Sequence, residues 1–219
     1  VYLRAAESAI AAGGTVLLEV PEIALTNQMV SYFAAYFGDK VVCMHSNLSK
    51  GERYNNRQRI ANEESSIIIG SRSALFMPFK NLKLIIVDEE YDSSYKQTET
   101  PRYNGRDVAK VMAVIYNCPI VLGAATPSVT TFFAAKNKKI ELLEMRQRVH
   151  RTPLPQIYVY DMRSEADIGH ATNLSRPLID LLRDTVQKNH KAILLLNRRG
   201  FAPTLMCKHC GYVFKCTHC

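Results

Sequence analysis

Short, unbroken apolar runs alternate along the chain with stretches whose apolar positions recur at helical spacing. Thr15 to Val20 is apolar apart from Thr15 and Glu19, and similar runs return at Val41 to Met44, Ser66 to Ile69, Leu84 to Val87 and Ile120 to Leu122. Runs of this length without a polar face suit strands covered on both sides. Between them, Leu3, Ala6 and Ile10 predict a helix over residues 3 to 12, stopped by Gly13-Gly14, and Leu25 to Phe37 predicts another closed by Gly38. Ser49 with Glu52 three residues on has the capping-box spacing, and a further helix is expected around Gly105 to Tyr116. Alternation at this spacing predicts right-handed crossovers and a parallel α/β sheet, with ligand chemistry at the carboxyl ends of its strands.

The pattern changes between residues 148 and 155, where Pro153 and Pro155 stand among few periodic positions. A second α/β unit is expected beyond it: a strand over Gln156 to Tyr160, a helix with Ser175 as N-cap and Pro177 in its first turn, and a strand over Ala192 to Leu196. The organisation read from the chain is an α/β domain over residues 1–150, the start of another over 151–205 and a cysteine-rich segment over 206–219.

Composition narrows the classes. No window approaches 18 consecutive apolar residues, and the first residues lack the basic-then-apolar order of a signal peptide, so membrane insertion and secretion are not expected. The 219 residues carry 28 Lys+Arg against 20 Asp+Glu, a net charge of +8 that attracts phosphates but also fits a merely basic surface. Cys43 and Cys118 stand singly among apolar residues and read as core fillers, whereas Cys207, Cys210, Cys216 and Cys219 form two CxxC pairs. Such pairs in a chain without an export signal favour metal thiolates, and hence a reducing cytoplasm, over a disulfide framework. The chain opens on Val1 and ends on a cysteine, and reads as an excerpt of something longer.

The most informative line is Leu82 to Glu90, an apolar strand that runs into Asp88-Glu89-Glu90. Adjacent carboxylates repel, and their place at the end of a buried strand makes sense beside a divalent cation, one holding magnesium and the next orienting a water; a solvated acidic turn is the plain alternative. Gly123-Ala124-Ala125-Thr126-Pro127 follows the strand Ile120 to Leu122, and its small residues permit close backbone approach. Arg72 and Ser73 follow another strand and are placed to grip phosphates. Tyr91, Tyr95 and Tyr103 lie among Lys96, Arg102 and Arg106, the mixture of rings and cations that single strands favour, or else an ordinary polar loop with rings in the core. Arg198 and Arg199 fit either DNA or surface ion pairs. The double CxxC is a strong zinc signal: four thiolates can close one structural site, although five residues between the pairs is a short gap, and His209 and His218 are further possible ligands.

In order along the chain, Pro21-Glu22-Ile23-Ala24-Leu25-Thr26, His45-Ser46 with Glu52-Arg53, Gly70-Ser71-Arg72-Ser73-Ala74-Leu75-Phe76, Asp88-Glu89-Glu90, the run Asp92 to Gln97, Arg102-Tyr103 with Arg106-Asp107, Ala125-Thr126 and Asn197 to Pro203 resemble the motifs of the superfamily 2 helicases. The run from Gly70 to Gln97 is similar to the bacterial primosomal helicase family in particular. The resemblance implies RecA-like lobes and an ATP-dependent 3′-5′ DNA helicase that restarts stalled forks and loads the primosome, in the cytoplasm and with the nucleoid. It also implies forked and single-stranded DNA, primosome proteins and single-strand-binding protein as partners, with no membrane. ATP, Mg2+ and Zn2+ follow as cofactors. Asp88 and Glu89 take the catalytic roles, and Asp88, Glu89 and Glu90 the cofactor contacts. Arg72, Ser73, Tyr91, Tyr95, Lys96, Arg102, Tyr103, Arg106, Ala125, Thr126, Arg198 and Arg199 take DNA contact or coupling. The same resemblance offers a two-zinc insertion in which each CxxC pair is completed by a later one.

Tyr91, Ala124 and Asn104-Gly105 depart from the family's usual His, Ser and His-Ala at those places. No G-x-x-x-x-G-K-[ST] phosphate loop exists in the 219 residues, so these residues alone are expected not to hydrolyse ATP. The alternative from another class is a non-catalytic, zinc-containing nucleic-acid-binding module.

Overall fold

The structure, a computed structural model, describes residues 1–21, 23–147, 155–162 and 174–195, together with two short strands at 205–206 and 213–214. It divides into two units, Val1–Met145 and Arg146–Cys219. The break falls a few residues before the proline-marked boundary.

In the first unit the strands are β1 (Thr15–Glu19), β2 (Val41–Met44), β3 (Ile67–Gly70), β4 (Leu82–Val87) and β5 (Ile120–Leu122). They form one parallel sheet in the order β2-β3-β1-β4-β5. The helices are α1 (Tyr2–Ala11), α2 (Ile23–Phe37), α3 (Lys50–Ala61), α4 (Gly105–Ile115) and α5 (Val129–Lys136). Every expected strand and helix of this unit is present within a few residues. Ser49 caps α3 through the reciprocal box with Glu52, and Gly13 and Gly38 take positive φ (76° and 61°) where α1 and α2 end.

Because side chains alternate across a strand, one face of the sheet packs Val16, Leu18, Ile67, Ile69 and Ile86 against α1 and α2. The other packs Leu17, Ile68 and Ile85 against Ala109 and Ala113 of α4 and Ile60 of α3. Apolar cover on both faces is why these strands read as unbroken runs. After β1 the chain crosses to the β2 side, and after β4 it continues to the β5 side, so the carboxyl ends of β1 and β4 flank the point where the strand order reverses. In open α/β sheets that crevice is where ligands bind.

In the second unit, α6 (Arg176–Gln187) forms as expected, with the Ser175 hydroxyl accepting the Leu178 amide at 3.3 Å and proline in the first turn. The strands expected over Gln156 to Tyr160 and Ala192 to Leu196 do not form: residues 156–160 and 192–195 belong to no strand, and residue 196 lies outside the described residues. Val159, Ile193 and Leu195 are 91%, 97% and 94% exposed. An apolar run becomes a strand only where a ladder neighbour satisfies its backbone, and none is present there among the described residues. β6 (Leu205–Met206) and β7 (Val213–Phe214) pair antiparallel. Among the described residues no helix is long and apolar enough to cross a membrane.

Candidate functional site

β4 ends at Val87, and Asp88, Glu89 and Glu90 turn out of the sheet beside the end of β1. The Asp88 amide donates to the Glu19 carbonyl at 2.9 Å. Glu89 adopts φ 47°, a left-handed conformation that is uncommon outside glycine and that sends the three carboxylates in different directions. The buried Tyr95 hydroxyl donates to the Asp88 carbonyl and lies 3.2 Å from that of Glu19, and the Ser94 hydroxyl donates to the Pro21 carbonyl at 2.9 Å. The loop after β4 is thereby tied to the segment after β1.

Asp88 and Glu89 are half-buried, whereas Glu90 is buried. Asp88 accepts the Tyr2 hydroxyl on Oδ1 at 2.7 Å. The Tyr91 hydroxyl lies beside the Glu89 side chain, whose hydrogen bonding and negative charge raise the Tyr91 pKa. The Glu89 Oε2 atom is buried without a partner. Two hard oxygen donors, one of them orphaned, fit a magnesium ion that takes its other ligands from water and phosphate oxygens.

Glu90 is only 2% exposed. Its carboxylate meets the Ser128 amide at 2.6 Å, the Ser128 and Thr131 hydroxyls at 3.1 and 3.0 Å and Arg106 Nη1 at 2.8 Å. Burial pushes its pKa up, but those donors together outweigh burial and hold it below the ordinary carboxylate range. The oxygens of Glu90, expected to contact the cofactor, are engaged here by Arg106, Ser128 and Thr131. The same carboxylate engages Arg106, whose side chain is mostly buried.

Glu90 also fixes both ends of the small-residue loop. Its amide donates to the Gly123 carbonyl at 3.0 Å, while its side chain holds Ser128, the N-cap of α5. Between these anchors Ala124, Ala125, Thr126 and Pro127 are exposed.

The remaining expected contacts spread around the carboxyl edge of the sheet. Arg72 and Ser73 begin a 3-10 turn, Arg72–Phe76, with Ser73 exposed. Tyr103 packs edge-on against Phe76, ring centroids 5.4 Å apart. Lys96 and Arg102 are exposed, and the loop between them closes through the Gln97 amide donating to the Tyr103 carbonyl at 2.8 Å. Tyr95 is 1% exposed, so its ring has no face for a base and it acts inside the loop. Arg198, Arg199, Cys207, Cys210, Cys216 and Cys219 lie outside the described residues.

Sequence reasoning missed Tyr2, Ser128 and Thr131. Ser128 carries a faint signal, a capping residue before an apolar run, but Tyr2 carries none. It also missed Glu19, fully buried at the end of β1 with neither carboxylate oxygen partnered. Burial pushes this carboxyl up to about 8, against the opposing pull of Arg72.

This architecture is a RecA-like lobe with an acidic strand end at its switch point. The sequence profile of the DEAD/DEAH box helicases matches residues 1–132, and the chain belongs to that family. Among curated proteins it is similar to the replication restart protein PriA of Bacillus subtilis (strain 168), 43% identical over 219 residues that cover 100% of this chain and 27% of the relative. The proteins of that name from Synechocystis sp. and Treponema pallidum are 42% and 41% identical, again over 100% of this chain and over 27% and 33% of their own lengths. The chain thus spans between about a quarter and a third of these relatives.

Proposed function

We propose that this chain is the ATPase-bearing part of a DNA helicase that acts in replication restart. The observation that supports this reading best is the half-buried pair Asp88 and Glu89 at the switch point, joined through the adjacent Glu90 to a small-residue loop and through Tyr95 to the end of β1. The 43% identity to the replication restart protein PriA of Bacillus subtilis along the whole of this chain points the same way.

In this reading Asp88 holds magnesium and Glu89, steadied by Tyr91, orients the attacking water and takes its proton. Magnesium, when bound, supplies charge neutralisation for the phosphates. Exposed Ser73, Lys96 and Arg102 bind the DNA backbone, with Arg72 and Tyr103 behind them. Any movement of their loop reaches Asp88 through Ser94 and Tyr95, and movement of Ala125-Thr126 reaches it through Glu90. Arg198 and Arg199 are assigned to DNA as well. Cys207, Cys210, Cys216 and Cys219 are four thiols suited to structural zinc, since four thiolates leave no open position for water. The 219 residues alone do not turn over ATP, because the phosphate-cradling loop is not among them.

ATP hydrolysis with and without single-stranded DNA tests the reading, on this chain and on a version extended at both ends to the length of its relatives. DNA-stimulated turnover confined to the extended version, and abolished by Asp88→Asn and by Glu89→Gln, is the expected result. DNA binding by both versions with hydrolysis by neither would refute it and leave a non-catalytic nucleic-acid-binding module. A stoichiometric metal assay of the extended protein checks the cysteines, and absence of zinc would remove that assignment.

A further inference from the structure

Tyr2 stands in the first turn of α1, 86 residues from Asp88 in sequence, and is half-buried. Its ring packs with the cluster beneath α1, so the hydroxyl cannot swing freely. The hydroxyl donates to Asp88 Oδ1 at 2.7 Å. On its other side lies Gly123: a Cβ there would overlap the Tyr2 hydroxyl, come within 2.8 Å of Cζ and sit 3.4 Å from Asp88 Oδ1. One phenol therefore meets the acidic strand end and the first residue of the small-residue loop together, and only glycine leaves room for it.

We infer that Tyr2 is a positioning residue for Asp88. It fixes one carboxylate oxygen, aims the carboxylate toward the cation, and registers it against the loop that begins at Gly123. An outer partner of this kind orients a metal ligand without touching the metal, and losing one commonly weakens metal binding by about 10- to 100-fold. This inference rests on the ATPase reading of the same site.

The test uses the extended protein and Tyr2→Phe, which removes the hydroxyl and keeps the ring. Two quantities are read: the Mg2+ concentration for half-maximal ATP turnover, and Mn2+ bound in the presence of ADP, followed by electron paramagnetic resonance. Tyr2→Phe is expected to raise the Mg2+ requirement and weaken Mn2+ binding by roughly tenfold, with turnover at saturating Mg2+ changed less than threefold and the melting temperature within a few degrees. An unchanged Mg2+ requirement and unchanged Mn2+ binding would overturn the inference and leave the ATPase reading standing. So would loss of folding, or loss of turnover at an unchanged Mg2+ requirement, since either makes Tyr2 a packing residue. Absence of turnover in the unmutated extended protein overturns the ATPase reading and this inference with it.

Discussion

A buried carboxylate without partners is costly in its charged form, and Glu19 is such a group. Gly105, at the start of α4, is what admits it, since a Cβ there would overlap Oε1. Arg72 pulls its pKa down, yet burial dominates and the value rises from 4.5 to about 8. The sign follows from which state binds the proton. Below about pH 4.5 both states hold it and folding bears no charge penalty. Between about 4.5 and about 8 the folded chain keeps the proton while the unfolded chain releases it, so stability falls as pH rises across that window. Urea unfolding should therefore show Glu19→Gln gaining on the unmutated chain by on the order of 3 kcal/mol between pH 5 and pH 8. Parallel stability profiles for the two proteins would show that Glu19 does not titrate in this way.

At the scale of elements, Glu90 joins β4, α4 and α5 through one carboxylate. Removing Arg106 leaves that charge buried with only neutral donors, so Arg106→Met should destabilise the chain by about 3 kcal/mol at pH 7, read from urea unfolding. The contribution of Glu90 is present above the ordinary carboxylate pKa and lost as pH falls through its lower folded value, so the deficit should narrow in acid. A deficit below about 0.5 kcal/mol, the size of an exposed pair, would mean that the clamp does not hold the elements together. These links also mark how far sequence reading reaches. The apolar runs of β1 to β5, the Ser49 box and the acidic end of β4 were legible because each is written in neighbouring residues. Which carboxylate turns inward was not, since Glu90 is decided by Arg106, Ser128 and Thr131, 16 to 41 positions away. Tyr2 was invisible for the same reason. The strand expected over Gln156 to Tyr160 shows the opposite error, for its residues have β-like character but no described neighbour to pair with.

At the scale of the whole molecule, the buried apolar core among the described residues lies in one unit. Both apolar clusters are built from residues between Tyr2 and Leu122, all five strands of the parallel sheet belong to Val1–Met145, and so does the described part of the candidate site. In Arg146–Cys219, by contrast, no large apolar side chain described over residues 155–162 and 174–195 is buried, and Leu181 and Val186 of α6 are exposed. Free energy of folding follows apolar area withdrawn from water, so the first unit should unfold as a cooperative whole with little help from the second. A protein of residues 1–145 is expected to melt within about 4 °C of the 219-residue chain, the shift that ~1 kcal/mol produces in a domain of this size, with a single transition by circular dichroism. It should also keep the pH response of Glu19 and the cost of Arg106→Met, because every partner of those side chains lies inside it. Loss of the transition on truncation would mean that the residues after Met145 supply core that the first unit lacks, and the two units would then have to be treated as one folding body.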